Sequence, residues 1–224
     1  EAAGKNCGGA VVFASGYSEV GQEGEILQQE LVQAADRLGI AVMGPNCAGF
    51  ANFVDGIFAF AFLVEERERR GNIGMVSQSG QIVLGGLDSP GMGFSHVISS
   101  GNSCNVKVED YLDFLVDDED TKVVAAYMEG VTRPEKLVDT LQKAALKKKT
   151  VVVLKTGRSS KSQELARSHT GSLSGADKVL RAVFKRYGVV EAGDLEELMG
   201  LAAAFSWLED LPKGERCVFM NVSG

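Results

Sequence analysis

The 224-residue sequence has few of the residues that build metal centres or disulfide frameworks. It contains only two histidines and four cysteines, and none of the cysteines forms a CxxC pair. Zinc ligands normally occur in such closely spaced pairs, so we expect no metal site and the reduced thiols typical of a cytoplasmic protein. The four cysteines are Cys7, Cys47, Cys104 and Cys217.

Long apolar runs and an excess of basic residues are also missing. The longest apolar stretch, GIFAFAFLV at 56–64, is much shorter than the roughly 20 residues that a membrane-spanning helix needs, and no signal-peptide pattern is visible. The net charge of −7 disfavours nucleic acid and anionic membranes as partners. Because the chain starts with Glu and ends in a strand-like run, we expect it to be a piece of a longer protein.

The common nucleotide and acyl-transfer motifs are absent from the sequence. There is no GxxxxGK[ST] phosphate loop, no GxGxxG dinucleotide fingerprint and no GxSxG nucleophile elbow. We therefore expect any nucleotide site to lie on another domain or another chain.

Short β-branched runs alternate with segments of helical period, which predicts a mostly parallel α/β sheet with helices on both faces. The pattern divides the chain into α/β units at 1–55 and 71–208, with a linker at 56–70 inside a loop-like region at 45–70 that ends in the charge run EERERR. The predicted strands are 8–15, 39–44, 72–77, 94–100, 122–129, 150–155 and, more weakly, 188–191. The predicted helices are 23–39, 80–89, 109–116, 133–147, 175–187 and 194–208.

Polar residues follow four strands of the second unit. Since ligands of open parallel sheets collect outside the carboxyl ends of the strands, we expect these residues to share one site. The four elements are the SQSG turn at 77–80, the SSGNS turn at 99–103, Glu129, and a long Gly/Ser-rich loop at 155–177 that holds His169.

The SQSG turn enters a predicted helix and suits a phosphate group. Unpaired N–H groups of a helix start attract anions, Gly80 lets the anion approach the backbone, and Ser77 and Ser79 add hydroxyl donors. The alternative is a plain helix N-cap made by Ser79.

The loop around His169 is locally basic, with Lys155, Arg158, Lys161 and Arg167, which suits an anionic substrate. A carboxylate such as Glu129 can hold one nitrogen of an imidazole and leave the other free as a nucleophile. The alternatives are a solvent-facing Glu129 and an exposed, uninvolved His169. The second histidine, His96, lies in a strand-like run and is interpreted as structural.

Four motifs of the chain resemble the NDP-forming acyl-CoA synthetases, a family that includes the α part of ADP-forming acetyl-CoA synthetase and, more distantly, succinyl-CoA synthetase. The resemblance runs in order from about residue 8 to 224. The motifs are GPNCAGFAN (44–52), GNIGMVSQSG (71–80), the stretch at 99–131, and ARSHTGSLSGAD (166–177).

The resemblance implies an incomplete Rossmann-like CoA-binding domain at 1–55, then a flavodoxin-like parallel-sheet ligase domain at 71–208, and the start of a third domain at 209–224. It implies that acyl-CoA, phosphate and ADP are interconverted with a carboxylic acid, CoA and ATP through an acyl phosphate and a phosphohistidine. ATP or ADP with Mg²⁺ would be bound by an ATP-grasp domain or subunit outside this chain, and the assembly is expected to be an oligomer.

The resemblance also implies roles for individual residues. His169 matches the phosphorylated histidine and Glu129 the carboxylate that orients it. The phosphate-binding residues are matched by Ser77, Gln78, Ser79, Gly80 and Gly171, the substrate-binding ones by Gly101 and Asn102, and the loop near the CoA thiol by Asn46 and Cys47.

Two other functions stay open at this point. One is a non-catalytic CoA- or acyl-CoA-binding regulatory module of an acetyltransferase-like fusion protein, in which His169 would carry no phosphoryl group. The other is a flavin-binding flavodoxin-like protein, although a single Trp and four Tyr offer few rings for stacking. The GIFAFAFLV segment either lines a pocket or belongs to the core.

Overall fold

The computed structural model describes residues 3–5, 7–63, 70–156, 173–208 and 214, the side chains of residues 3 and 173–176 excepted. The predicted histidine loop, including His169 and Gly171, and nearly all of the predicted third domain lie outside these ranges. In the described part of the chain, no helix is both long and apolar enough to cross a membrane.

The first unit is a two-stranded parallel sheet with one helix. Strand β1 (Gly9–Val11) pairs with β2 (Ala41–Met43), and helix α1 (Gln22–Leu38) connects them. Helix α1 ends at Gly39, whose φ of +65° is left-handed and suits glycine. The helix packs on the strands through a small cluster around Ala35 and Val42.

The second unit is built on a seven-stranded sheet in the order β4-β3-β6-β5-β7-β8-β9. Strands β5 to β9 are parallel, and their order is the flavodoxin-type 2-1-3-4-5 arrangement. The strands are β3 (Gly49–Asn52), β4 (Ile57–Phe60), β5 (Arg70–Ser77), β6 (Phe94–Ser99), β7 (Val123–Met128), β8 (Thr150–Lys155) and β9 (Val190–Ala192).

Helices cover both faces of this sheet and bury two apolar cores. One core packs α2 and α6 on the sheet, and the other packs α3, α4 and α5 on the opposite face. The fold class predicted from the alternating pattern is therefore confirmed. The helices are α2 (Gly80–Leu87), α3 (Val108–Asp117), α4 (Pro134–Leu146), α5 (Leu173–Tyr187) and α6 (Leu195–Trp207).

The prediction of a loop at 45–70 is wrong for nine of its residues, because β3 and β4 form an antiparallel hairpin on the edge of the large sheet and β5 begins at Arg70. The turn between the two strands is held by Asn52, whose side-chain oxygen accepts hydrogen bonds from the N–H groups of Val54 and Asp55, both at 3.0 Å. Within the apolar segment, Phe58 and Phe60 pack against the core. The domain boundaries, including the linker at 56–70, stay predictions.

A fully buried carboxylate joins α3 to the turn that follows β7. Glu109 accepts hydrogen bonds from the N–H groups of Thr132 at 2.7 Å and Arg133 at 3.1 Å, and from the hydroxyl of Thr132 at 3.2 Å. The carboxylate therefore fixes the start of α4 and the turn three residues beyond Glu129.

We expect Glu109→Ala to lower the free energy of unfolding by about 2 kcal/mol, since the N–H groups of Thr132 and Arg133 lose a charged acceptor. Urea denaturation of the full-length protein measures this change. The matched control is Glu30→Ala on the exposed side of α1, which should change stability by less than about 0.5 kcal/mol. Equal stability of the two variants would contradict the structural role of Glu109.

Candidate active site at the carboxyl edge of the sheet

A cavity of about 650 Å³ lies where β5 and β7 end. The chain leaves these neighbouring strands in opposite directions along the sheet, and such a switch point is where open α/β sheets bind ligands. The cavity is lined by Phe13, Glu19, Asn46, Cys47, Ala48, Ala61, Phe62, Gln78, Ser79, Gly80, Gln81, Leu84, Gly101, Asn102 and Glu129.

Most of the residues predicted for the site meet in this cavity. Ser77 is fully buried directly beneath it, and His169 and Gly171 lie outside the described residues. Among the ranges that the structure describes, no group of three or more His, Cys, Asp or Glu side chains could hold a metal ion. The predicted residues on the cavity wall are Asn46, Cys47, Gln78, Ser79, Gly80, Gly101, Asn102 and Glu129.

The SQSG turn leaves the start of α2 open towards the cavity. The Ser77 hydroxyl accepts a hydrogen bond from the Ser79 N–H at 3.0 Å and donates one to the Ser79 carbonyl at 2.7 Å, which fixes the turn. Ser79 occupies the N-cap position with extended backbone, but its side chain makes no capping hydrogen bond in the described structure. The N–H groups of the first helical turn are therefore free of a side-chain cap and can bind an anion.

Gln78 joins the ends of β5 and β7. Its side-chain oxygen accepts hydrogen bonds from the N–H groups of Glu129 at 2.7 Å and Gly130 at 3.2 Å. These contacts position the Glu129 backbone, and the role of Gln78 in phosphate binding stays a prediction.

Glu129 is exposed on the cavity wall, next to two groups that restrain it. Burial raises the pKa of Tyr127, and the negative charge of the nearby Glu129 carboxylate adds to this, although Thr156 opposes it. The Lys155 ammonium donates to the Glu129 carbonyl at 2.8 Å and to the Thr156 carbonyl at 2.6 Å. The Glu129 backbone is thus held at the point where the chain leaves β8.

Glu19 was missed by sequence reasoning and connects the two units at the cavity. Its carboxylate accepts hydrogen bonds from the Asn102 amide at 2.5 Å and from the N–H groups of Gly16 at 2.5 Å and Tyr17 at 3.2 Å. Burial alone would raise the pKa of Glu19, but these hydrogen bonds outweigh it and lower the pKa to about 2. Glu19 is therefore ionised at neutral pH and fixes the orientation of the Asn102 amide.

The loop at 44–48 contributes an amide and a thiol. The Asn46 side chain donates to the Asn102 side-chain oxygen at 3.4 Å. Cys47 is buried, its thiol donates to the Val12 carbonyl at 3.4 Å, and burial raises its pKa. The Cys47 thiol is therefore protonated at neutral pH, and it shapes the cavity wall rather than acting as a nucleophile.

Gly101 brings the SSGN turn against the loop at 44–48. Its φ is +55°, and a Cβ atom here would lie 2.3 Å from the Pro45 carbonyl oxygen and 2.6 Å from that of Asn46. The next residue, Asn102, donates its N–H to the Pro45 carbonyl at 2.9 Å. Only glycine fits this contact without moving one of the two loops.

We expect Gly101→Ala to lower the free energy of unfolding by about 2 kcal/mol, through backbone strain and overpacking, and to separate Asn102 from Asn46. Thermal denaturation of the full-length protein measures the loss. Gly130→Ala is the matched control at the same sheet edge, because a Cβ atom there meets nothing within 4 Å. A stability of Gly101→Ala equal to that of the control would refute the steric argument.

Comparison with known proteins gives consistent matches. Residues 70–205 match the family model described as the succinyl-CoA ligase like flavodoxin domain. The chain is 35% identical over 223 residues to the α subunit of acetate–CoA ligase [ADP-forming] II from Pyrococcus furiosus, which covers 98% of this chain and 48% of that protein. It is 36% identical over 226 residues to a trans-feruloyl-CoA synthase from an unknown prokaryotic organism, covering 98% of this chain and 32% of that protein.

A solved structure shares the fold. Acetyl-coenzyme A synthetase 1 from Ca. Korarchaeum cryptofilum, in complex with phosphate and ADP, superimposes with a TM-score of 0.84 at 31% identity. The match covers 96% of this chain and 46% of that one. The chain thus spans less than half the length of these relatives.

Proposed function

Because the chain belongs to the NDP-forming acyl-CoA synthetase family through its succinyl-CoA ligase like flavodoxin domain, we propose that it is part of a ligase that makes acyl-CoA reversibly. The full-length protein interconverts acyl-CoA, phosphate and ADP with a carboxylic acid, CoA and ATP. An acyl phosphate and a phosphohistidine at His169 are the intermediates.

The observation that carries this proposal is the meeting of Glu129 and the uncapped start of α2 on one cavity wall. Glu129 supplies a carboxylate for an imidazole, and the start of α2 supplies N–H donors for a phosphate. The histidine loop begins at the same edge, since β8 ends at Lys155 next to the Glu129 carbonyl.

The chemistry follows from these positions. Phosphate at the α2 N-terminus attacks the thioester carbonyl, the C–S bond breaks, and CoA leaves with an acyl phosphate remaining. A ring nitrogen of His169 then forms a bond to phosphorus while the P–O bond to the acyl group breaks and the carboxylate leaves. Glu129 accepts a hydrogen bond from the other ring nitrogen and stabilises the positive charge that develops on the ring.

Transfer of the phosphoryl group depends mainly on positioning and on stabilisation of its negative charge, and the N–H groups at the start of α2 provide both. Asn102 and Asn46 line the same space. The Asn102 amide donates to Glu19 and Gln28, so we assign the second N–H of the Asn46 amide to the acyl or phosphate oxygens. Cys47 shapes the wall near the CoA thiol.

Nucleotide chemistry belongs to another unit. Two relatives from Pyrococcus furiosus are α subunits of ADP-forming acetate–CoA ligases. We therefore assign ADP, ATP and Mg²⁺ to an ATP-grasp domain or partner subunit, with the reaction in the cytoplasm and the assembly an oligomer. The acetate–CoA ligases among the relatives give no support to the alternative of a non-catalytic regulatory module.

The test is phosphorylation of the wild-type full-length protein, together with its ATP-grasp partner if that is separate. Incubation with γ-labelled ATP and Mg²⁺ should give a protein-bound label that is stable to alkali and labile to acid. Addition of ADP, or of a carboxylic acid with CoA, should discharge it. Failure to form such a label in protein that still binds CoA would refute the proposed function.

A further inference from the structure

One side of the active-site cavity is apolar. It is formed by Phe13 from the segment after β1, Ala61 and Phe62 from the segment after β4, and Leu84 from α2. Phe13 is 45% exposed and Phe62 is 49% exposed. Two half-exposed aromatic side chains thus line the same cavity as the proposed phosphate site and are accessible to a ligand bound there.

Both rings are supported from behind by the β3–β4 hairpin. Phe13 packs on Gly49, where a Cβ atom would lie 2.7 Å from the Phe13 ring. Phe62 contacts Phe60 edge-to-face, with ring centroids 5.9 Å apart, and Phe60 itself packs against the core. The rings are therefore held in place by packing, as residues that recognise a ligand must be.

The geometry of the cavity orients an acid within it. The carboxyl end must reach the α2 N-terminus and Glu129 to react with phosphate, so the rest of the acid extends towards the remaining walls. The ionised carboxylate of Glu19 lies on one of them and repels a second carboxylate. The apolar side is the wall that accepts an uncharged, apolar group.

We propose that Phe13 and Phe62 are specificity-determining residues that bind the side group of an aromatic or branched apolar monocarboxylic acid. The methyl group of acetate buries less apolar surface against the rings than a larger side group does, and a dicarboxylic acid would place a charge beside Glu19. The inference rests on the proposed function, since it concerns the acid activated at that site.

The test compares acids in the full-length enzyme, assayed with CoA and ATP. Acetate, succinate, isobutyrate, phenylacetate and a cinnamate form the panel. We expect kcat/KM for the best apolar acid to exceed that for acetate by roughly ten-fold or more, the range that an apolar pocket gives. A preference for acetate or succinate would overturn the assignment.

Variants of the two phenylalanines then test whether these rings contact the acid. Phe62→Ala should lower kcat/KM for the apolar acids by about ten-fold and change that for acetate less than about two-fold, and Phe13→Ala should act in the same way. The matched control is Phe114→Ala, which removes a ring that is equally exposed, 49%, but packs on His96 away from this cavity. An equal loss for every acid, or a rise only in the KM for CoA, would instead assign the rings to the CoA arm and refute the proposal.

The labelling experiment separates failure of this inference from failure of the proposed function. A phosphohistidine in wild-type protein without any preference among acids would overturn only the acid-binding wall. Absence of the phosphohistidine would overturn the function on which the wall depends. Retention of the label in Phe62→Ala is expected, because the ring does not take part in phosphoryl transfer from ATP.

Discussion

Full-length protein carrying His169→Asn is expected to form no phosphoenzyme and to lose at least about a thousand-fold in turnover, because asparagine cannot accept the phosphoryl group. The expected loss is large since removal of the covalent intermediate leaves no acceptor at the site for the acyl phosphate. Labelling with γ-labelled ATP and the steady-state synthesis of acyl-CoA both measure it.

The chain offers a matched control, because its second histidine has a different environment. His96 is buried in β6, its Nδ1 lies 3.5 Å from an Asp118 oxygen, and its ring stacks edge-to-face on Phe114. Burial lowers the pKa of His96, although Asp118 opposes this. His96→Asn should therefore keep an acid-labile label per folded molecule, and a label that survives in His169→Asn would contradict the relay.

Replacing Glu129 with glutamine is expected to slow phosphoryl transfer to His169 by roughly a thousand-fold, within the range seen when the partner of a catalytic histidine is neutralised. The amide keeps the size of the side chain but loses the charge that stabilises the imidazolium, and it can hold the ring in the wrong tautomer. Rapid-quench measurement of label formation reports this step directly.

The control for Glu129→Gln is the same substitution at a second exposed glutamate. Glu135 is exposed in the first turn of α4, six residues further along the chain. Glu135→Gln should label at close to the wild-type rate. Wild-type labelling by Glu129→Gln would show that the carboxylate is a solvent-facing strand end, as the alternative interpretation of the sequence had it.

The parallel strands could be predicted because their β-branched runs are buried on both faces and flanked by helical segments. The β3–β4 hairpin was missed because each strand has only four residues and lies in a region rich in loop-forming residues. Its signal was an Asn–Phe–Val–Asp–Gly turn between aromatic runs, and Gly56 in that turn has a φ of +68°. The hairpin can be recognised from the sequence if the turn is identified first and the aromatic runs on either side of it are then interpreted as strands.

One rule of parallel sheets predicts part of the candidate site. Parallel strands bring their carboxyl ends to a common edge, so the SQSG turn, the SSGN turn and Glu129 converge whatever their distance in sequence. Glu19 could not be found in this way, because its partner Asn102 lies 83 residues away and in the other unit. The Gln78 contact with the Glu129 backbone depends on a side-chain direction that the sequence pattern does not encode.

The loop at 44–48 is the direct covalent crossing from the small sheet to the large one. Strand β2 ends at Met43 and β3 begins at Gly49, where it pairs with β6. The tether is short, and the N–H groups of Asn102 and Cys104 donate hydrogen bonds to the carbonyls of Pro45 and Gly44. The small sheet is therefore anchored to the carboxyl edge of the large one, and the cavity walls that the two units contribute are held in one arrangement.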